Sequence, residues 1–370
     1  MASSTSVLTE STRLPDDTTL LKLSSAEGPI YRRIKNAPIR DARPDEIPII
    51  DISGIYSQNF EDRKSVANQI HKAATHSGFF YVKNHGVPSS MTEAAQAAAL
   101  EFFRQPDEIK QKVNATLSKS FNGWKAPKTQ RINASESIDV RETFSLRYNP
   151  LYDPGVPDTE DEIPEDIKST VTIDEFCWDQ TSNLPHFKRD VLEYWRATVK
   201  LARNLTRSFA LALSLPEQYF DTKITYPDAG VAINYYPPMP VSSQASGDNS
   251  IGSHTDFQLF TILWQDGNGG LQVLNRDGEW INAAPIEGTF VVNIGDYLQR
   301  ITNDQYISTV HRARNLSGKE RISMPLFFGF NLNETCGVLE SCVSEERPAK
   351  YEPISCRDWV EKRVKAMHTV

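Results

Sequence analysis

The chain has 370 residues, of which 39% are hydrophobic, 24% charged and 10% aromatic. That profile excludes a wholly disordered or collagen-like chain and permits a sizeable core without disulfide staples. A formal net charge of −8 argues against general affinity for nucleic acid or anionic membranes, and no apolar run nears the ~18 residues of a bilayer span.

Residues 1–20 are rich in Ser and Thr and lack the basic and apolar regions of a secretory leader, which predicts a cytoplasmic chain. No pair among Cys177, Cys336, Cys342 and Cys356 has Cys-x-x-Cys spacing, so free thiols are expected. After a tail and an extended arm, Ile47-Pro48-Ile49-Ile50-Asp51-Ile52 reads as a short strand. Residues 61–77 carry Val66, Ile70, Ala73 and Ala74 at helical spacing. A second strand, Gly78-Phe79-Phe80-Tyr81-Val82, closes at the turn Asn84-His85-Gly86; helices follow over 91–103 and from Pro106. Residues 119–175 read as irregular. Between Asp153 and Glu175 nine acidic residues face one lysine, so the whole net charge sits in what reads as a solvated acidic loop. Residues 187–213 form the clearest helix, with Phe187, Val191, Tyr194, Trp195, Val199, Ala202, Leu205 and Phe209 on one stripe and Pro216 beyond its end.

Past Gly230 the hydrophobic period switches from helical to alternating. Strands are predicted over 229–236, 258–264, 270–274, 280–283, 289–294, 306–314 and 321–330, and a last helix after Ser355. Helices first and strands later make an α+β chain, and many short strands at close intervals suggest a barrel or jelly roll.

Of seven histidines, His71, His76, His85, His186 and His368 are assigned structural or surface roles. His254 and His311 differ because both lie in the β region beside ligand-type residues. In His254-Thr255-Asp256, residues i and i+2 of an extended segment leave one face and can reach one ion. With His311 they make two histidines and a carboxylate, a set that holds Fe(II) with open positions for oxygen chemistry. Arg321 and Ser323 share a strand face, and an Arg fork with a neighbouring hydroxyl suits a carboxylate. Asn234 and Tyr236 form a third polar pair. Such pairs inside a small barrel need ligands or partners.

With these residues in place, the chain resembles the Fe(II)/2-oxoglutarate-dependent dioxygenase superfamily, in the isopenicillin N synthase-like branch. The resemblance runs from about Pro48 to the C-terminal helix. It is carried by the two N-terminal strands, Asn234-Tyr235-Tyr236-Pro237-Pro238, His254-Thr255-Asp256, Gly269-Gly270-Leu271-Gln272-Val273, Asn293-Ile294-Gly295-Asp296, His311-Arg312-Ala313 and Arg321-Ile322-Ser323. The N-terminal arm and the acidic insertion resemble fungal members, many of which tailor natural products.

The resemblance implies a double-stranded β-helix (jelly-roll) core with flanking helices and a helix-rich N-terminal region. It implies His254, Asp256 and His311 as iron ligands, and Arg321 and Ser323, helped by Asn234 and Tyr236, on the distal carboxylate of 2-oxoglutarate. Oxidation of an unactivated C–H by O₂, ending in hydroxylation, desaturation or ring closure, would accompany decarboxylation to succinate and CO₂. No side-chain catalyst beyond the metal centre is expected, and no obligate protein partner. The chain divides into a flexible tail and arm (1–45), an N-terminal region (46–150), the acidic insertion (151–186), a helix plus catalytic core (187–340) and a C-terminal segment (341–370). A 2-oxoglutarate-independent oxidase of the isopenicillin N synthase type is the nearest rival. A non-catalytic relative is opposed by the complete ligand set, and a zinc hydrolase by Arg321. The substrate is a small molecule. Phe144 and Phe327 are pocket candidates by their place in the family pattern, and Trp124 for its mouth, with core packing the competing role for each. An aromatic lining would suit an apolar or partly aromatic substrate.

Overall fold

The computed structural model describes residues 8, 9, 12, 15–154, 156, 159–171, 173–238 and 250–369. Asp158 of the acidic run and the side chain of His368 lie outside the described residues. The segment expected as an arm opens with an antiparallel hairpin, β1 (Thr18–Ser25) and β2 (Gly28–Lys35), followed by β3 (Arg40–Asp41) and β4 (Ile49–Asp51). Next come α1 (Phe60–His76), β5 (Phe79–Lys83), α2 (Ser89–Phe103) and α3 (Asp107–Lys110). Asn59 caps α1 by accepting from the Glu61 amide, with Glu61 and Asp62 favourably placed in the first turn. Gly78 turns α1 into β5 at φ +69°. A Cβ there would fall 1.9 Å from the Ile307 carbonyl oxygen, so only glycine fits.

Residues 119–175, expected to be irregular, contain β6 (Gly123–Lys125), β7 (Glu142–Leu146) and α4 (Glu165–Lys168), and α5 (Phe176–Asp179) follows at once. The strand signal of β7 is masked by its own alternation, because its inward face is the polar pair Thr143 and Ser145. The acidic insertion is not all solvated: Asp153 is buried against Arg203 at 2.6 Å, and Ile163, Ile167, Cys177 and Trp178 are buried. The long helix α6 (Phe187–Ala212) buries the predicted stripe.

The β region holds β8 (Ala229–Tyr236), β9 (Ile251–His254), β10 (Phe260–Gln265), β11 (Leu271–Leu274), β12 (Trp280–Asn282), β13 (Thr289–Ile294), α7 (Asp296–Ile301), β14 (His311–Ala313) and β15 (Arg321–Phe328). A small ladder of β16 (Thr335–Cys336) and β17 (Ile354–Ser355) leads into α8 (Cys356–Thr369), capped by Ser355 Oγ on the Asp358 amide at 3.0 Å. The predicted strand 306–314 shortens to three residues. Its first half is committed elsewhere: the Ile307 amide donates to Ala74 O and Thr309 Oγ1 donates to Ser77 O. β9 and α7 were not anticipated; β9 is four residues long and half Gly and Ser.

Two sheets face each other as a double-stranded β-helix. The larger runs β4-β5-β13-β10-β15-β8-β7-β6 and the smaller β3-β12-β11-β14-β9. One face of the larger sheet packs under α1, α2 and α6 through Phe80, Val292, Ile262, Leu326, Ile233 and Phe144 in one continuous core. Tyr194 of α6 ties to this face by donating to Met324 O at 2.5 Å. The opposite face meets the smaller sheet, where Phe79, Tyr81, Leu263, Val273, Ile281 and Val291 close one end of the space between them. The outer face of the smaller sheet is covered by the hairpin, through Leu21 and Leu23 on Leu274, Trp280 and Val310.

Candidate metal and cosubstrate site

Strand register brings the predicted residues together. His311 of β14 lies opposite His254 of β9, and Asp256 follows two residues beyond. His254 Nε2 is 3.6 Å and His311 Nε2 3.8 Å from Asp256 Oδ1, and the three potential ligand atoms lie within 4.8 Å of one another. Each residue's other polar atom is engaged. His254 Nδ1 donates to Gly252 O at 2.8 Å and His311 Nδ1 to Thr309 O at 3.1 Å, which leaves both Nε2 lone pairs aimed inward. Asp256 Oδ2 accepts from Thr261 Oγ1 at 2.5 Å and Asn293 Nδ2 at 2.7 Å, leaving Oδ1 for a metal. Burial, with His311 alongside, holds the His254 imidazole below its ordinary pKa and so neutral. Burial alone would raise the Asp256 carboxyl, but the facing histidines and the two donors outweigh it and hold the group ionised. Two imidazoles and a carboxylate converging this way fit a divalent transition metal.

The 254–256 turn is braced from behind. Arg363 of α8, 1% exposed, pairs with Asp296 Oδ2 at 2.9 Å and donates to Ser24 O of β1 at 2.9 Å, with Thr255 Oγ1 at 3.4 Å. The C-terminal helix and the N-terminal hairpin thus meet at the turn that carries His254 and Asp256. Sequence reasoning identified neither Arg363 nor Thr261; Asn293 lay in a quoted motif without a role.

The second set sits on β8 and β15. Arg321 lies opposite Tyr236 and Ser323 opposite Asn234, and residues directly opposite in an antiparallel pair share a face. Tyr236 Oη and Ser323 Oγ are 3.1 Å apart, and the Arg321 guanidinium carbon stands 4.5 Å from the Tyr236 ring centroid. Arg321 is 2% exposed. Its Nη2 donates to Gln265 Oε1 at 3.2 Å, while its Nε and Nη1 are buried without a partner. A buried guanidinium with two idle donors is costly unless an acceptor arrives, and a carboxylate is the acceptor that matches its fork.

The aromatic candidates divide. Phe327 lies opposite Thr261, the Asp256 partner, so it faces the space between the sheets and is half-buried. Phe144 and Trp124 lie on the other face. Phe144 packs on Phe102 and Phe187 under the helices, and Trp124 Nε1 donates to Glu142 Oε2 at 2.7 Å in the same core. Strand parity decides this, since the neighbour Thr143, opposite Asn234, takes the inward position. His71 contacts the Tyr306 hydroxyl, His85 Nδ1 accepts from the Val87 amide, and His186 precedes α6, all away from the site. A cleft of about 900 Å³ beside α6, lined by Met91, Arg196 and Lys200 among others, shares no residue with the site.

Residues 227–330 match the 2OG-Fe(II) oxygenase superfamily, and residues 47–166 match the N-terminal region described as non-haem dioxygenase in morphine synthesis. The chain is 54% identical over 354 residues, 94% of each protein, to the 2-oxoglutarate-Fe(II) type oxidoreductase ppzC of Metarhizium majus. It is 29% identical to the 2-oxoglutarate-Fe(II) type oxidoreductase hxnY of Emericella nidulans, over 86% of this chain and 89% of that one. Among solved structures, a full-length Neurospora crassa protein in complex with alpha-KG and thymine superposes with a TM-score of 0.72 at 25% identity, covering 89% of this chain and 99% of that one.

Proposed function

The chain belongs to the 2OG-Fe(II) oxygenase superfamily, and from that premise we propose that His254, Asp256 and His311 hold Fe(II) while Arg321 and Ser323, with Tyr236 and Asn234 beside them, anchor 2-oxoglutarate. The protein is a 2-oxoglutarate-dependent Fe(II) oxidoreductase acting on a small molecule. Iron and 2-oxoglutarate together supply oxidation by O₂, with loss of CO₂ and formation of succinate. The chain's own residues bind, orient and exclude water. Thr261 and Asn293 hold one carboxylate oxygen of Asp256 so that the other faces the metal position. The Gly252 and Thr309 carbonyls fix both imidazole tautomers. The observation that carries the assignment is Arg321, buried with two unpaired donors on the larger sheet, which faces the smaller sheet whose strands carry His254 and His311.

Oxidation of an unactivated C–H in natural-product tailoring, by hydroxylation, desaturation or ring closure, is the activity we assign; the fungal oxidoreductases that the chain resembles support it. A reducing, cytoplasmic setting accords with four cysteines that form no disulfide. Anaerobic addition of Fe(II) and 2-oxoglutarate should produce the weak visible charge-transfer band of a chelated keto acid. His254→Ala, Asp256→Ala and His311→Ala should each abolish it. Full turnover in any one of them would remove that residue from the ligand set.

A further inference from the structure

If Arg321 serves the cosubstrate, a second buried guanidinium on the same wall is unassigned. Arg141, immediately before β7, has its side chain 10% exposed. It donates to Thr143 Oγ1 at 2.9 Å and to Asn234 Oδ1, both on the inward face. Its Nη2 is 3.4 Å from Gln130 Oε1 and 3.7 Å from Asp139 Oδ2, the latter too long for a hydrogen bond. Its Nε is buried with no partner, as are Gln130 Nε2 and Asp139 Oδ2 next to it. Asp139 beside it accepts from the Gly252 amide at 3.1 Å, two residues before His254, so Arg141 lies next to strand β9.

A second cation shares the wall. Lys125 of β6 lies opposite Thr143 and therefore faces inward as Arg141's contacts do. Among the described residues it has no carboxylate within 4 Å. Burial, then the charges of Arg141 and Arg147, push its pKa down to about 8. The neighbouring carboxylate Glu142 points the other way, into the helix-side core, where it pairs with Lys110 at 2.6 Å and Trp124. Of the acids nearest this wall, Glu136 is engaged and Asp139 is engaged through one oxygen only. Glu136 is spent on β9, where it accepts from the Ser253 amide and, at 2.8 Å, from the Ser253 hydroxyl. Burial raises the pKa of Asp139, and its Oδ1 is used on the Gly252 amide at 3.1 Å. Two inward cations and idle donors, with only a loose 3.7 Å ion pair from Arg141 to Asp139, are matched by a ligand that brings negative charge.

We propose that Arg141, seconded by Lys125, binds a carboxylate of the substrate, so that the enzyme acts on small organic acids rather than on neutral or cationic molecules. The proposal rests on the cosubstrate assignment above, since it needs Arg321 to be occupied by 2-oxoglutarate. It also replaces the aromatic lining expected from the sequence: with Phe144 and Trp124 turned into the core, Phe327 is the one aromatic of those three left on this wall, beside charged and amide groups.

The test uses the full chain, anaerobic and saturated with Fe(II) and 2-oxoglutarate. Acetate, benzoate and N-acetylglycine are titrated against their primary amides, with binding read by calorimetry and by perturbation of the visible band. At least one acid should bind at least about thirtyfold more tightly than its amide, the low end of what a buried charge pair is worth. Arg141→Gln should erase most of that preference, Arg141→Lys less of it, and Lys125→Gln should weaken it in the same direction. The affinity for 2-oxoglutarate, titrated in the same variants, should stay within about twofold, which also shows that they fold. Three results overturn the proposal: no acid preferred over its amide, a preference that survives Arg141→Gln, or a loss confined to 2-oxoglutarate affinity, which would make Arg141 a positioning residue for Asn234. A wild-type protein that forms no band at all would instead refute the cosubstrate assignment.

Discussion

Arg321 and Arg141 show how much a single side chain can report when its hydrogen bonds are counted. Loss of one partner from a buried, charge-assisted pair costs about 2–5 kcal/mol, roughly 30- to several-thousand-fold in affinity. Arg321→Ala should therefore raise the apparent KM for 2-oxoglutarate by at least about tens of fold while Fe(II) binding survives. Arg321→Lys should recover only part, because a point charge lacks the planar fork. Ser323→Ala should act in the same direction more weakly, since it removes one neutral hydroxyl. Product formation without added 2-oxoglutarate and without succinate would sink the assignment in favour of an oxidase of the isopenicillin N synthase type. At this scale the polar pairs were legible because residues i and i+2 of a strand must share a face. For Phe144 the pocket and core roles stayed open, because the period of two gives only relative facing; the pairing of Thr143 with Asn234 shows which parity is inward and leaves Phe144 in the core.

At the level of elements, the terminal segments do more than decorate the core. Helix α8 delivers Arg363 to Asp296, where burial raises the carboxyl pKa and the guanidinium partly opposes that rise, and the same guanidinium reaches Ser24 of the hairpin. Arg363→Met should destabilise the fold by about 3–5 kcal/mol in urea denaturation, since it leaves Asp296 buried and unpaired. A double variant, Arg363→Met with Asp296→Leu, should recover most of that loss. An unchanged denaturation midpoint in Arg363→Met would refute the bracing role. Edge strand β9 is covered in a comparable way. Asn133 bridges Lys22 O and Ser253 O, Glu136 accepts from the Ser253 amide, and Asp139 accepts from that of Gly252. Side chains that cap an edge have no periodic signature, which is why the 119–175 segment read as irregular.

For the molecule as a whole, all four thiols are buried and unpaired, and burial pushes those of Cys177 and Cys356 up to about 12. None should react within seconds with a disulfide-exchange reagent in native buffer, and all four should react in denaturant. A count of two in denaturant would reveal a native disulfide and contradict the cytoplasmic assignment. The order of helices and strands, the stripe of α6 and the three polar pairs of the site were all present in the sequence, because each depends on the fixed geometry of one element. The long α6 stripe and the uninterrupted strand 289–294 were therefore read with their ends almost in place. What needed the tertiary structure was everything that depends on which elements meet. Strand 306–314 kept three of its nine residues, its first part being taken by contacts with α1 and its C-terminal turn. The hairpin found its apolar partner on a sheet some 250 residues away. Lys125 and the Thr143 and Asn234 contacts of Arg141 came onto one face only when β6, β7 and β8 lay side by side. Local pattern dictates which residues share a face; packing alone decides what that face looks at.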